Sequence, residues 1–379
     1  MRYPVGVALL AGLQTLSALA LADRGDQGTP SAGASDKSSQ GAPGTAEEEE
    51  THGPWRGSVL LFDQSVTTQT VGLGKDYQSA DQTYELWFAL KPRYTFYETK
   101  TTTLTVGLWS NLYLELTNSD ATTTEHEPVL GPTILSAGLG QTLFERAGFK
   151  TSFSLGPRAT LPTDRESRNS GRYLTLGASG GLSQTIPLAG KGAPSFSNLK
   201  LGVSTIYGHP FNRYTTPTNE NIQQPRQDVA GRLIFDNQLR FGMNTRDSLS
   251  VTFSAAVPLA PRLDFGLSYV ITNSWTYWPT PANVLTTATG PAAPQSIDNP
   301  TNHRVGTWAL ASIDYEALDE MSVGVGYYNQ TGQIGPDGQR RSPLWSPDAR
   351  VFLTISGNLD VIFDHFTAKP SPTQSASAK

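Results

Sequence analysis

The sequence predicts an all-β chain: a single transmembrane, antiparallel, up-and-down β-barrel of about 12 strands, with short periplasmic turns and long extracellular loops. Three observations predict it. First, Leu104, Val106, Leu108, Leu112, Leu114 and Leu116 hold one parity, and Thr105, Gly107, Trp109, Asn111, Tyr113 and Glu115 hold the other, with Ser110 as the one break in the apolar series. A period of two kept this long gives a ribbon apolar on one face and mostly polar on the other. It is also far longer than the ~5–6 residues of a soluble strand, which suits lipid outside and water inside. Second, past the first 22 residues no run of about 18 apolar residues occurs, so no helix spans a bilayer. A mean hydropathy of -0.32 agrees with strands that show lipid only every second side chain. Third, short and long links alternate along the chain.

The ends are read first. Residues 1–22 have the form of a secretory signal peptide: Arg2, an apolar run from Val5, then Ala20-Leu21-Ala22 before Asp23. The rival is an anchor helix, but Gln14 and Thr15 interrupt the run and no charged stop-transfer segment follows it. The expected localisation is the bacterial outer membrane, by export through a cleaved leader. Residues 23–53 are rich in Gly, Ser, Ala, Pro and charge and predict a disordered periplasmic arm; Glu47, Glu48, Glu49 and Glu50 read as a solvated run. The barrel takes 54–366, and 367–379 is a polar tail. With no cysteine there is no thiolate metal site, thiol nucleophile or disulfide. A net charge of -5 without a basic block argues against nucleic acid.

The strands follow in order. The first covers about 57–66. The second, 83–97, sets Tyr84, Leu86, Phe88, Leu90, Tyr94 and Phe96 against Glu85, Ala89, Lys91, Arg93 and Thr95. The third is 103–116; the fourth runs through Leu135, Ala137, Leu139 and Leu143. The fifth sets Phe149, Phe153, Leu155 and Leu161 against Lys150, Ser152, Ser154 and Arg158. In the sixth, Leu174, Leu176, Ala178 and Leu182 alternate with Thr175, Gly177, Ser179, Gly181 and Ser183; in the seventh, Leu199, Leu201, Val203 and Tyr207 alternate with Lys200, Gly202 and Ser204. Then come 249–257, 263–271, 305–315, 321–327 and 351–363. Glycine on the inner parity fits a curved wall that side chains must not crowd.

The links decide the count. Those at 99–101, 145–148, 259–261 and 316–319 are short, and 187–195 is intermediate. Long ones surround Asp76, Asp120, Arg165, Thr218, Ala292 and Pro336. Short and long alternate only if 229–243 stays out of the wall, inside one loop from about Asn212 to Arg246. That yields 12 strands and both termini on the periplasmic side; a count of 14 would make a strand of 229–241 and need one more. A soluble barrel or sandwich would need more frequent turns and an apolar cluster on the inner parity. Aromatic groups at strand ends (Tyr94 and Phe96; Tyr84 and Trp87; Trp275, Tyr277 and Trp278) read as interfacial girdles or as ordinary strand preference.

Several stretches carry a likeness: Phe62-Asp63-Gln64-Ser65-Val66-Thr67 with Gly72-Leu73-Gly74-Lys75-Asp76-Tyr77; Pro225-Arg226-Gln227-Asp228-Val229; Val325-Gly326-Tyr327-Tyr328-Asn329 through Ile334-Gly335-Pro336-Asp337-Gly338; and Trp345-Ser346-Pro347-Asp348-Ala349-Arg350-Val351. The chain resembles Gram-negative outer-membrane β-barrels and, more narrowly, uncharacterised porin-like barrels of the myxobacterial kind. The resemblance implies location and architecture, and no substrate. One departure is that the aromatic residue ending the last strand, Phe363 or Phe366, is followed by a polar tail.

Chemistry is sparse. The histidines are His52, His126, His209, His303 and His365; His209 is best placed, but no serine sits at obvious spacing from it, so a membrane-embedded hydrolase is the least favoured function. Neither Asp337-Gly338 nor 163–166 is a specific Ca²⁺ loop, and residues 177–181 lie mid-strand without the helix a phosphate loop needs. No metal or cofactor is expected. The inner parity says more. Glu85, Lys91, Arg93, Glu115, Lys150, Arg158 and Lys200 are candidate pore-lining residues, basic towards the periplasm and acidic near the outer mouth; a salt-bridge network filling the barrel is the rival. Arg232, Ile234, Phe235 and Phe241 lie in the long loop and suggest a folded hairpin or a lumen plug. The expected function is a porin-like channel for passive diffusion of small polar solutes. The alternative is a structural or adhesion barrel with a plugged lumen that binds a partner. Expected partners are outer-membrane lipids and lipopolysaccharide, the barrel insertion machinery and, as an option, further copies of the chain.

Overall fold

The computed structural model describes residues 54–68, 84–117, 126, 128–164, 167–168, 170–188, 198–215, 223–227, 233–237, 243–278, 286–287, 290–291, 301–332, 342–346 and 349–362. The expected leader, arm and tail lie outside them.

The first strands are β1 (Val59–Thr67), β2 (Tyr84–Lys91), β3 (Arg93–Glu98), β4 (Thr102–Glu115), β5 (Pro128–Leu130) and β6 (Thr133–Arg146). Next come β7 (Phe149–Leu161), β8 (Arg172–Pro187), β9 (Asn198–Asn212), β10 (Gln223–Gln227), β11 (Leu233–Asn237) and β12 (Thr245–Ala260). The last are β13 (Leu263–Thr276), β14 (Thr286–Thr287), β15 (Gly290–Pro291), β16 (His303–Leu318), β17 (Met321–Gly332) and β18 (Arg350–Asn358). Each barrel strand pairs antiparallel with its sequence neighbour, and β18 closes on β1, giving a closed up-and-down barrel of 12 strands. β2 and β3 form one of the 12, interrupted at Pro92, which has no N–H to give the ladder. β5 extends the β6 strand along β4.

The disputed region stays out of the barrel wall. β9 ends at Asn212 and β12 begins at Thr245, and the segment between them contains a separate hairpin, β10 with β11, that joins no barrel strand. At the other end of the barrel the links after β6, β12 and β16 are tight. Ala147 and Gly148 both take positive φ (53° and 86°), as a type I′ hairpin turn requires, and Arg262 does so after Pro261 (φ 64°). Both described chain ends lie at this short-turn end: Gly57 N donates to Asp360, and Leu359 N to the Ser58 carbonyl. The last strand is shorter than the expected 351–363. It stops at Asn358, where the chain turns into a helical segment at 359–362.

Alternation sets the two surfaces. Phe88, Leu90, Val106, Leu112, Leu135, Leu155, Leu182, Leu201, Val203, Phe253, Leu267, Ile313 and Val325 are exposed on the outside. An apolar belt that circles the molecule far exceeds the few hundred Å² that soluble monomers tolerate, and it matches the lipid-facing band of a membrane barrel. Aromatic pairs flank it: Trp55 against Tyr94 at the short-turn end, and Trp275 against His303 and Tyr327 against Trp345 at the other. Trp87 corrects the girdle expectation. It points inward and packs edge-on to Trp109 at 6.1 Å. With Val59, Leu61, Ala89, Tyr113 and Ile134 it forms an apolar cluster on the inner parity. Such a cluster was expected only of a soluble barrel, but here it coexists with the outer belt.

Backbones come close where β6 meets β7. A Cβ at Gly156 would lie 1.9 Å from the Ala137 carbonyl oxygen, a backbone atom that cannot rotate away. Gly156→Ala is therefore expected to destabilise the barrel by about 1–3 kcal/mol, as overpacking does. Heat-dependent gel migration of the refolded variant checks it; migration equal to wild type at every temperature counts against the close approach.

Candidate functional site

The candidate site is the inner wall. Every pore-lining candidate except Lys150 and Lys200 is buried there, and these two are half-buried. The sequence could place residues on the inward parity. Register shows which of them meet.

At the long-loop end, Glu85 lies opposite Glu115 across the β2–β4 pair and opposite Ser65 across β1–β2. Two adjacent buried carboxylates need compensation. Arg350 supplies it: its Nη1 is 2.7 Å from Glu85 Oε2 and 3.4 Å from Ser65 Oγ, and both charged side chains are only 7% exposed. Two strand positions further down, Thr354 Oγ1 donates to Asp63 Oδ2 at 2.7 Å. Glu115 is held by Thr117 Oγ1 at 2.9 Å. Sequence reasoning named Glu85 and Glu115 but missed Arg350 and Asp63. It began the last strand one residue late, at Val351, and β1 is apolar on both faces over Val59-Leu60-Leu61-Phe62, so its parity could not be assigned.

The basic residues form a different group. Arg93 lies opposite Gly107, Gly107 opposite Ser136, and Ser136 opposite Arg158, so two guanidinium side chains start from one row with two small residues between. Lys91 Nζ sits 5.4 Å from the Trp109 ring centre, a cation–π contact. Lys150 pairs with Glu145 at 3.2 Å, near the short turn at 147–148. Lys200 lies near the short-turn end of β9, opposite Thr185 and Ala256. The wall from β7 to β13 is lined by hydroxyls: Ser152, Ser204, Ser248, Ser250, Thr252 and Thr272 are all buried, with Ser250 and Thr272 bonded at 2.6 Å. A second apolar group, Tyr328 and Phe352 with Leu310, faces in from β16–β18. The lumen thus has a hydroxyl-lined side and an aromatic, charged side.

The loop candidates are less defined. Ile234 and Phe235 belong to β11, opposite Arg226 and Pro225. Arg232 and Phe241 lie outside the described residues. So do His52 and His365. His209 faces outward near the long-loop end of β9. Its Nδ1 is 2.8 Å from Asp247 Oδ1, and Asp247 also accepts from Tyr207 OH at 2.7 Å and Arg246 Nε at 2.8 Å. Among the described residues no serine or threonine hydroxyl is bonded to His209, and no group of three or more His, Asp or Glu could hold a metal. The glycine-rich 177–181 segment is mid-strand in β8.

No protein-family model and no curated protein matches the sequence. Among solved structures, the chain is similar to an outer membrane channel from Pseudomonas putida F1, at 10% identity over 79% of this chain and 93% of that one, TM-score 0.46. It is similar to the NanC porin at 8% identity over 79% and 98%, TM-score 0.36. It is also similar to outer membrane phospholipase A from Escherichia coli at 11% identity over 81% and 98%, TM-score 0.36. At scores this low these likenesses carry neither solute nor reaction across to this chain.

Proposed function

We propose that the chain is an outer-membrane channel for passive diffusion of small polar solutes, exported through a cleaved leader and embedded among outer-membrane lipids and lipopolysaccharide. One observation carries this reading: the barrel is apolar outside and lined inside with separated acidic, basic and hydroxyl groups. Charges on a pore wall set which ions pass. The narrower likeness to myxobacterial-type barrels adds no solute to this reading. In a planar bilayer the purified protein is expected to give discrete conductance steps; the absence of any step above the bare bilayer overturns the proposal. Arg93→Glu is expected to move the reversal potential in a salt gradient towards cation preference. An unchanged potential would place that side chain away from the ion path.

A second reading has its own support. Seven inward apolar side chains are each less than a tenth exposed, so the lumen is crowded on the β1–β6 side. That favours a narrow or blocked barrel whose long loops bind a partner. The same bilayer recording separates the two.

A further inference from the structure

The outer surface at the long-loop end carries a polar group that contact with acyl chains does not call for. Gly208 lies opposite Ser248, so the next residue of β9, His209, meets the preceding residue of β12, Asp247. Asp247 in turn lies opposite Trp275, and Trp275 opposite His303. Four neighbouring strands thus set an imidazole, a carboxylate, an indole and a second imidazole side by side at the edge of the apolar belt.

Two bulges show that this rim is built. The register of β12 against β13 slips between Thr245 and Asp247, which makes Arg246 an extra residue. Strict alternation would aim it into the lumen; the bulge turns it out, and its Nε lies 2.8 Å from Asp247 Oδ2. The register of β8 against β9 slips between Arg172 and Leu174, and Tyr173 is the extra residue there. Tyr173 is 60% exposed, and its ring meets that of Phe211 at 6.1 Å. Phe211 meets the His209 ring edge-on at 4.9 Å.

Asp247 organises the donors. A carboxylate only accepts, so His209 Nδ1, Tyr207 OH and Arg246 Nε all donate to it. That leaves His209 Nε2 and the two terminal nitrogens of Arg246 without a partner among the described residues. The Arg246 side chain is 48% exposed and that of His209 38%.

We propose that this rim docks the phosphorylated sugar headgroup of lipopolysaccharide. Arg246 takes two phosphate oxygens through its terminal nitrogens, and His209 Nε2 takes a third. Tyr173 and Phe211 offer flat faces to the sugar, and the exposed Leu176, opposite His209, meets the acyl chains. Cationic donors beside apolar surface fit an anionic amphiphile better than a free ion. The site deepens the proposed embedding among lipopolysaccharide. It rests on the reading that the long loops face outward from the cell, and not on whether the lumen conducts.

The test titrates the full chain, refolded in detergent micelles, with lipopolysaccharide in the same detergent. Calorimetry is expected to show saturable binding, weakened about tenfold by Arg246→Gln and also weakened by His209→Gln. Lys100→Gln, on the turn at 99–101 at the opposite end, binds as wild type. Heat-dependent gel migration confirms that each variant is folded. Lipopolysaccharide stripped of its phosphates is expected to bind the wild type no better than the intact form binds Arg246→Gln. Equal binding of the intact and stripped forms, or of wild type and both rim variants, overturns the site. Inorganic phosphate bound as tightly as lipopolysaccharide makes the occupant a free ion and overturns the lipid assignment. Binding lost with Arg246 in a barrel that passes no current supports the site and overturns the channel reading alone. A chain that stays monodisperse without detergent overturns the membrane reading, and the site with it.

Discussion

Arg350→Met is expected to lower the stability of the folded barrel by about 3–5 kcal/mol, the usual cost of removing one partner of a buried ion pair. The reason is what stays behind. Glu85 keeps its place opposite Glu115, and both residues stay buried. The Ser65 hydroxyl loses its contact in the same step. Urea titration in micelles, followed by tryptophan fluorescence, measures the loss. Adding Glu85→Gln to Arg350→Met removes the stranded charge and is expected to restore much of it. A single variant as stable as wild type, or a double variant no better than the single one, would falsify the clamp.

The second large effect belongs to the outer surface. Leu155 faces out from the middle of β7 and is 51% exposed. In water, Leu155→Arg would be harmless or even helpful, because it removes exposed apolar area. In a bilayer the same change is expected to cost about 2–4 kcal/mol at the midplane, because the guanidinium must leave water. Unfolding in liposomes should reveal the loss, and the cost should shrink for an equivalent change nearer either rim. Equal stability of variant and wild type in liposomes would remove the physical basis for a lipid-facing belt.

Strand positions were legible because lipid and lumen impose opposite demands on neighbouring residues. β4, β7 and β9 announce themselves that way, and even the exclusion of 229–243 followed from alternating link lengths. The contents of the lumen were less legible. Parity tells that Trp87, Trp109 and Tyr113 share a face with charged residues, but only cross-strand register brings them together as a cluster. Trp87 was open to a girdle reading for that reason. Where both parities are apolar, as in Val59-Leu60-Leu61-Phe62, the pattern carries no direction, and Asp63 stayed hidden. Arg350 is a boundary case: moving the start of a strand by a single residue decides whether its first side chain counts as wall or as loop. The pairing of His209 with Asp247 joins residues 38 apart in sequence, beyond any local spacing rule.

The bonds from Arg350 to Glu85 and from Thr354 to Asp63 cross the junction of β18 with β1 and β2, joining residues 265 and 291 positions apart. They therefore cannot form until nearly the whole chain has been synthesised and the ring is completed. Contacts that arise after the rate-limiting step of folding slow the reverse process without hastening assembly. If closure follows that step, the junction acts as a latch, and Arg350→Met speeds unfolding while leaving the folding rate unchanged.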